Sequence, residues 1–490
     1  MKLKYIAFLL IVATVVLADD KPKIFSNEIV AVVNGKIITK NDLLLSYESS
    51  LSTLKYGATS KERIKNYLNL MIDEFLLAEE GYRLGLDQNI TVAKSKKILE
   101  KELIIEELIE RRLKPKIKVT DEEVKEALNK NKVSFKLGFW LEPTLENAGK
   151  VKVEAEKIEN SMKLKNSNPE GQQFFTLNEQ GTNYLTWLEL PEEIFEGIKN
   201  LPVNKISEPI PFNGSYFLFR VKDIRREAIT ENDYLSKAPS IKKILLGKRT
   251  VELVTAFVDS LMTPQKVTVK REVFDLFAEV LIAWRNNPNY KTKTFDDFLS
   301  NEAINNTLLE KLNNKSDNPF ALTKDRTFSL KEFLEIFEAD KILPSIIQNS
   351  NYKSIINNQV AQTIRDYFMV KEAISLGYNK SVEVKNKLKK WTDKWVYEQY
   401  RIEIQKSITR QEKTYKDYPL LVRNQLSAKA NEAKKSGNVI VNEIALDSLS
   451  VIESEKSRWL TTQFYKAGTN RPIVPMLDPI WSYKNSNDIN

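Results

Sequence analysis

The sequence predicts an α+β protein that is mostly α, in which a helical module contains an inserted α+β domain and is followed by a second helical module. Three observations indicate this arrangement. Apolar residues recur at helical spacing along most of the 490 residues. Short alternating runs separated by Asn, Gly and Pro are concentrated in 133–225, and the helical pattern of the first half returns in the second half. At about 150 residues per domain, this length suggests two to four domains.

The first 18 residues have the pattern of a secretory signal peptide. Lys2 and Lys4 precede an apolar run that ends at Leu17, and Ala18 provides a small residue at the cleavage position. A retained signal anchor is the alternative, and the acidic pair Asp19-Asp20 disfavours it. Because no stretch reaches the roughly 18 apolar residues that a spanning helix needs, we expect no membrane span in the mature form.

The first helical module is expected over 27–132. Two β-branched runs flank Asn34-Gly35, a pair that accepts the positive φ angles of a two-residue hairpin turn. Thr39 then has the position of a helix N-cap, with Asp42 three residues later. A small hairpin followed at once by a helix therefore opens the mature chain.

Three further helices complete this part of the module. Apolar residues from Leu68 to Leu76 mark one helix face, and Gly85 ends that helix. A second helix runs from about Thr91 to Leu113 and stops before Pro115. Thr120-Asp-Glu-Glu123 is a capping box that predicts a third helix start.

The next two segments differ in character. Alternating runs such as Tyr216–Val221 predict a small α+β domain over 133–225. Helical periodicity returns in 226–317, where Ser240–Met262 has apolar residues at helix spacing and ends before Pro264. We expect 226–317 to close the first module and link it to the next.

An internal repeat predicts that 318–450 is a second copy of the helical module. Offsets of 290 to 292 residues match apolar and capping positions, pairing Ile72 with Ile364, Leu76 with Phe368, Gly85 with Gly377, Thr39 with Ser329 and Asp42 with Glu332. Chance agreement between amphipathic helices is the alternative. The shared Leu-Gly helix end and the shared capping residues favour a true repeat.

A tail of unknown order follows over 451–490. It contains Trp459, Trp481 and three prolines. One interpretation is an ordered extension that wraps the second module.

The composition excludes several kinds of chemistry. With no cysteine and no histidine, the chain has no disulfide, no thiolate nucleophile and no imidazole acid or base. No acidic cluster has the spacing of a metal site, so we predict no metal, no cofactor and no catalytic residue. The net charge of +9 is spread as mixed Lys/Glu surface, which argues against nucleic-acid binding.

Several segments carry a resemblance to a known family. Val30–Thr39, Leu77–Gly81 with Leu84-Gly85, and Val119–Val124 resemble the N-terminal module of SurA- and PpiD-type exported folding factors. Segment 133–225 is similar to a diverged parvulin-type peptidyl-prolyl isomerase domain, and Gly181–Trp187, Leu190–Phe195, Ile206–Ile210 and Gly214–Asp223 carry this similarity.

The resemblance also shows a departure. Active parvulins have a histidine in the first strand and another in the last, whereas this chain has none, and Tyr216 stands where the second is expected. Isomerisation needs only a pocket that prefers the twisted amide, so histidine loss weakens the isomerase interpretation without removing it. Five aromatic residues are candidates to contact a bound peptide, each also a candidate core residue: Trp140, Trp187, Phe195, Tyr216 and Phe217.

The resemblance implies a periplasmic chaperone that binds unfolded exported polypeptides and takes part in outer-membrane protein biogenesis. We expect its two helical modules to offer two binding surfaces and avidity, and its parvulin-like domain to be non-catalytic. The alternatives are an active peptidyl-prolyl cis-trans isomerase that uses Tyr216, and an envelope scaffold without chaperone activity.

Overall fold

The protein is described here from a computed structural model. The structure describes residues 29–164, 180–212, 215–228, 230–290, 294–300, 307–339, 342, 352–411, 418–449, 461–462, 471–472 and 474–483. The expected signal peptide lies outside these residues, as do 451–460, 463–470, 473 and 484–490 of the predicted tail.

The described residues contain twelve β-strands. They are β1 Ile29–Val33, β2 Lys36–Thr39, β3 Val133–Glu142, β4 Gln180–Thr186, β5 Ile210–Phe212, β6 Ser215–Arg226, β7 Thr268–Val269, β8 Pro319–Leu322, β9 Thr327–Ser329, β10 Val439–Val441, β11 Thr461–Thr462 and β12 Arg471–Pro472.

The described residues also contain fifteen α-helices. They are α1 Lys40–Ser49, α2 Ser60–Arg83, α3 Ile90–Leu108, α4 Asp121–Lys130, α5 Leu145–Leu164, α6 Glu192–Ile198, α7 Glu231–Met262, α8 Arg271–Asn286, α9 Phe295–Leu299, α10 Thr307–Asn314, α11 Leu330–Ile336, α12 Tyr352–Ser375, α13 Val382–Gln411, α14 Tyr418–Ser436 and α15 Glu443–Asp447. None of the helices described is both long enough and apolar enough to cross a bilayer.

The α+β, mostly α class predicted from the sequence is confirmed by these elements. They belong to two compact units: Met1–Leu108 with Pro264–Asn490, and Ile109–Thr263. The second unit is larger than the predicted 133–225 domain, because it includes α4 before that segment and α7 after it.

Short-range signals explain the start of the first unit. Asn34 and Gly35 have φ angles of 48° and 81°, so the predicted hairpin turn is present between β1 and β2. Thr39 Oγ1 accepts from the Asp42 N–H at 3.1 Å, and the Asp42 carboxylate accepts from the Thr39 N–H. This capping box fixes the start of α1 directly after β2.

The repeat is present in three dimensions. The elements β1, β2, α1, α2 and α3 recur in the same order as β8, β9, α11, α12 and α13. Ser329 and Glu332 form the second copy of the capping box. Gly85 and Gly377 both have left-handed backbone, with φ of 70° and 76°, at the end of the equivalent helices.

Each copy of the hairpin gains a third strand from the segment that follows the other repeat. β10, which follows α14, pairs antiparallel with β1 and makes the order β10-β1-β2. β7, which follows α7, pairs with β8 and makes the order β7-β8-β9. The structure therefore differs from our expectation for 226–317, since its strand completes the second copy of the sheet and its helix α7 belongs to the other unit.

The core of the first unit joins residues from both ends of the chain. Val30 and Leu68 from the first repeat are buried in one cluster with Tyr397 of α13, Leu426 of α14 and Trp481. A separate aromatic group around Phe277 of α8 joins β8 to α11, with ring centroids of Phe277 and Phe320 5.6 Å apart. The two repeats thus share one folded unit.

The C-terminal residues 474–483 are part of that core. Leu477, Ile480 and Trp481 are buried. Our interpretation of a tail that wraps the second module needs a correction here, because this part packs against α2 of the first repeat as well as α13 of the second. Trp481 contacts Glu74 of α2 through its indole N–H and stacks on Tyr397 of α13.

In the second unit, a four-stranded antiparallel sheet has the order β4-β3-β6-β5. On one face, Ala148 and Ala155 of α5 are buried with Trp140 and Leu218. On the other face, residues of α4, α6 and α7 form a larger cluster, which includes Leu128, Phe195 and Ile241. The sheet is therefore covered on both faces by helices.

Candidate functional site

A group of phenylalanine side chains lies at one end of the four-stranded sheet. Phe139 of β3 is directly opposite Phe219 of β6, and Leu141 is directly opposite Phe217. Side chains of directly opposed residues share a face of an antiparallel sheet. Alternation along β3 and β6 therefore brings these four residues together on one face.

The rings are in mutual contact. The Phe217 and Phe219 rings stack at 5.8 Å between centroids, and Phe139 lies 6.3 Å from Phe217. Phe212 of β5 meets Phe217 edge-on at 6.0 Å. We call Phe139, Phe212, Phe217 and Phe219 the aromatic patch.

The aromatic patch is only partly covered. Phe219 is buried, whereas Phe139, Phe212 and Phe217 are half-buried. Leu141 beside them is 52% exposed. Contiguous apolar surface of this kind is a feature of sites that bind a partner.

Two of the predicted residues belong to the hydrophobic cluster against which the patch packs. Trp187 and Phe195 are buried, with ring centroids 6.3 Å apart. The Trp187 indole N–H donates to Glu192 at 2.8 Å, and the ammonium groups of Lys130 and Lys248 each lie 4.9 Å from its ring. Trp187 is thus held in place by polar and cationic neighbours.

The other face of the sheet contains Trp140 and Tyr216. Trp140 is buried, and Tyr216 packs partly buried against the same cluster. The Arg220 guanidinium lies 5.3 Å from the Trp140 ring. Among the described residues, the Trp140 indole N–H has no hydrogen-bond partner.

The structure thus divides the five predicted site residues between two faces. Trp187, Phe195 and Phe217 share one cluster, and Trp140 and Tyr216 share the other. The sequence reasoning missed Phe139, Phe212 and Phe219 in the patch. The alternation of Phe135, Leu137 and Phe139 along β3 was the available signal for the first of these.

An exposed polar pair lies on the same sheet. The Tyr184 hydroxyl donates to the Asp223 carboxylate, and the Arg225 guanidinium lies 3.6 Å from the Tyr184 ring centroid. This hydrogen bond lowers the pKa of Asp223 and raises the pKa of Tyr184. Asp223 therefore stays ionised and Tyr184 stays protonated near neutral pH, so neither is tuned to transfer protons there.

The chemistry available at the aromatic patch is apolar contact. Its four side chains contain no titratable or nucleophilic group. No group of three or more acidic side chains within the described ranges could hold a metal ion. The patch can cover apolar or proline side chains of an extended polypeptide.

Comparison with known families identifies the domain that carries the patch. Residues 119–233 match the family model described as PPIC-type PPIase domain. The chain carries a parvulin-type domain. The resemblance found in the sequence is confirmed for this segment, and the match begins at the capping box of α4, before the predicted boundary at 133.

Solved structures of folding factors are similar to part of the chain. The foldase PrsA of Streptococcus pneumoniae is 16% identical, covering 44% of this chain and 85% of its own, with a TM-score of 0.20. A SurA-like chaperone of Campylobacter jejuni is 17% identical, and the match covers 49% of this chain and 100% of that chain, with a TM-score of 0.21. PrsA of Bacillus anthracis is 16% identical, and the match covers 37% of this chain and 88% of that chain, with a TM-score of 0.20. No curated protein matches the sequence significantly.

Proposed function

We propose that this protein is a periplasmic chaperone of the SurA type that binds unfolded exported polypeptides, including outer-membrane proteins, and whose parvulin-type domain binds without catalysis. The observation that carries the proposal is the aromatic patch, a contiguous and partly exposed apolar surface on a domain that lacks histidine. Such a surface covers exposed apolar segments of clients and so keeps them from aggregating.

A light-scattering experiment tests the chaperone function. A urea-unfolded outer-membrane β-barrel protein is diluted into buffer with or without the full-length mature chain. We expect equimolar chain to suppress scattering. Unchanged scattering would favour the scaffold alternative, in which the modules dock onto a fixed partner.

Two matched variants test the role of the aromatic patch. Leu141→Asp places a charge beside the patch, and Leu145→Asp places one at a similarly exposed site on α5, the two leucines being 52% and 56% exposed. We expect Leu141→Asp alone to weaken the suppression of scattering. Equal suppression of scattering by the two variants would mean that clients do not bind the patch.

The parvulin-type family match favours peptidyl-prolyl isomerase activity as the second candidate function. An X-Pro tetrapeptide assay decides between the two. We expect no acceleration over the uncatalysed reaction, which takes tens to hundreds of seconds. Acceleration that disappears in Tyr216→Phe would overturn the non-catalytic interpretation.

The proposed location has its own test. N-terminal sequencing of the protein recovered from a periplasmic extract should begin at Asp19, because the proposed cleavage follows Ala18. Recovery with an intact N-terminus in the membrane fraction would support a retained anchor instead.

A further inference from the structure

The first unit contains two grooves that are related by the internal repeat. The first groove lies between α1, α2 and α13, and the second lies between α11, α12 and α3. Repeat-equivalent positions line both, pairing Ser46 with Ile336, Phe75 with Tyr367, Ala78 with Val370, Lys390 with Ile98 and Asp393 with Lys101. The two grooves are therefore copies of one site.

The first groove already holds a polypeptide segment. Residues 474–477 of this chain line it, and the cavity that remains is about 60 Å³. Ser46 Oγ donates to the Pro475 carbonyl oxygen at 3.1 Å. The Asp478 N–H and the Trp481 indole N–H both donate to Glu74 Oε1, at 2.7 and 3.0 Å.

This occupant shows what the groove geometry accepts. The segment Val474–Leu477 is neither helix nor strand, is apolar and contains a proline. Leu477, which lines the groove, and Trp481, four residues later, are 6% and 3% exposed, so this segment is buried. The polar contacts that anchor it are made by the Pro475 carbonyl oxygen and, just beyond the segment, by the Asp478 N–H and the Trp481 indole N–H.

The second groove has a cavity of about 370 Å³. This volume lies within the range of about 300–1,000 Å³ found for ligand sites. Ile98, Ile336, Val370 and Ile374 provide apolar lining, and Ile374 is 47% exposed. The second groove is therefore open and able to accept apolar side chains.

Two of the lysines that line the second groove are held in ion pairs. Lys101 on α3 forms an ion pair with Glu338, and Lys94 pairs with Asp296 at 2.7 Å. Asn379 Oδ1 is enclosed yet accepts no hydrogen bond from the described residues. An enclosed acceptor gains most from an incoming N–H donor, such as a peptide backbone provides.

We infer that the second groove binds an extended, apolar, proline-containing segment of an unfolded client polypeptide. This inference rests on the proposed chaperone function and assigns a site to it outside the parvulin-type domain. The client occupies the position that Val474–Leu477 occupies in the first groove, and its backbone N–H donates to Asn379.

The absence of cysteine from the sequence makes a direct test possible. Ile374→Cys in the full-length chain is labelled with a benzophenone maleimide, and Ile444→Cys on α15 serves as the matched control, since Ile444 is also exposed, at 79%. The probe is permanently unfolded, reduced and carboxymethylated α-lactalbumin. Circular dichroism melting confirms that both labelled proteins are folded.

We expect cross-linking at position 374 to exceed that at 444 by about tenfold, which corresponds to about 1.4 kcal/mol of preferential binding. The synthetic peptide Val-Pro-Met-Leu-Asp-Pro-Ile-Trp should compete, and its variant with Asp in place of Met and Leu should not. Equal cross-linking at the two positions, or equal competition by both peptides, would overturn the inference.

The light-scattering experiment separates this inference from the proposed function. Suppressed aggregation with equal cross-linking would mean that the chaperone function holds and the second groove is not its site. Selective cross-linking at 374 without suppressed aggregation would mean that the groove binds peptides although the chaperone function fails. Competition by an excess of unlabelled chain whose own second groove is blocked by Ile374→Asp would indicate that a tail from a second copy, rather than a client, fills the groove.

Discussion

Glu74 is the residue on which the C-terminal segment depends. Its carboxylate contacts the Lys394 ammonium at 2.7 Å and accepts from Asp478 and Trp481. Burial raises the pKa of Glu74, although Lys394 opposes that effect. Since burial disfavours the charged form, the ion pair and the two N–H donors are needed to keep the site stable.

Replacement of Glu74 by Ala should be strongly destabilising. The variant leaves the buried Lys394 charge unpaired and releases residues 474–483, and breaking a buried ion pair in this way costs about 3–5 kcal/mol. Urea unfolding followed by circular dichroism measures the loss. Glu80→Ala on the same helix is the control, because Glu80 forms an ion pair with the exposed Arg83 and such pairs contribute about 0–1 kcal/mol. A similar loss of unfolding free energy in both variants would mean that the buried Glu74 contacts contribute no more than an exposed ion pair.

Gly81 allows α2 and α13 to approach closely. A Cβ atom at this position would lie 2.6 Å from Val396 Cγ1 and 3.1 Å from the Val396 carbonyl oxygen. Glycine is therefore required by packing between the repeats.

Gly81→Ala should lower stability by about 1–3 kcal/mol, the usual cost of overpacking. Gly149→Ala on α5 is the matched control, because nothing lies within 4 Å of a Cβ there. That control should gain about 0.5–1 kcal/mol from the helix preference of alanine. Native-state hydrogen exchange of α2 and α5 amides measures the two effects separately, and a tolerated Gly81→Ala would mean that α13 can shift.

At the scale of elements, ion pairs join α4 and α7, two helices that pack on the same face of the parvulin-type sheet, and the pair between Arg249 and Glu123 has the closer contact. Arg249 of α7 contacts both carboxylate oxygens of Glu123, with 3.1 Å from Nη1 to Oε2. The hydrogen bond from Arg249, aided by the Thr120 N–H, lowers the pKa of Glu123 from 4.5 to about 2. Glu123 therefore caps α4 and holds α7 at the same time.

This pair predicts a pH dependence of the second unit. Because the folded pKa lies below the unfolded value, the unfolded chain binds more protons between pH 4.5 and about 2. The stabilising contribution is present above that window and is lost as the pH falls through it. Hydrogen exchange of α4 and α7 amides measures it. Glu123→Gln should remove this component, and Glu122→Gln, one residue away, should retain it. An unchanged pH profile in Glu123→Gln would show that the pair contributes nothing.

The elements that could be predicted are those set by local chemistry. The hairpin at Asn34-Gly35 and the capping boxes at Thr39, Thr120 and Ser329 are all present. The start of α7 was placed too late, at Ser240. The helix begins at Glu231 and contains Pro239, because Tyr234, Ala238 and Ile241 pack into the domain core and hold the turn before the proline.

The candidate site was predicted only in part for a simple reason. Tyr216 and Phe217 are consecutive in β6, and consecutive side chains of a strand point to opposite faces. A single pocket could not contain both. The aromatic composition was visible in the sequence, whereas the pairing of β3 with β6 that brings Phe139 to Phe217 depends on contacts between distant segments.

At the scale of the whole molecule, the exchange of strands between repeats was not predictable from the sequence. β7 and β10 contain two and three residues, too few to show a periodic pattern. Their partners β8 and β1 lie far away along the chain. The repeat itself was visible because helices of 24 residues keep their apolar spacing.

This exchange predicts that the halves of the chain are interdependent. A fragment of residues 19–263 lacks β10, α13 and α14, so the cluster around Val30 and Leu68 should stay incomplete. We expect the helical part of this fragment to be unfolded alone and to fold when residues 264–490 are added. Circular dichroism and size-exclusion chromatography of the separate and mixed fragments measure this. Residues 109–263 should fold by themselves, and a cooperative transition of the 19–108 part without its partner fragment would contradict the prediction.

The pairing of Ala31 with Val441 also has a consequence for the order of events during synthesis. The strand Ile29–Val33 is made early, whereas its partner strand Val439–Val441 is synthesised much later. Loop-closure entropy grows slowly with length, so this delay costs the finished protein little. A chain that stops short leaves the apolar edge of Ile29–Val33 unpaired, and such edges promote aggregation and invite degradation. Closure of this sheet thus requires that synthesis has passed Val441.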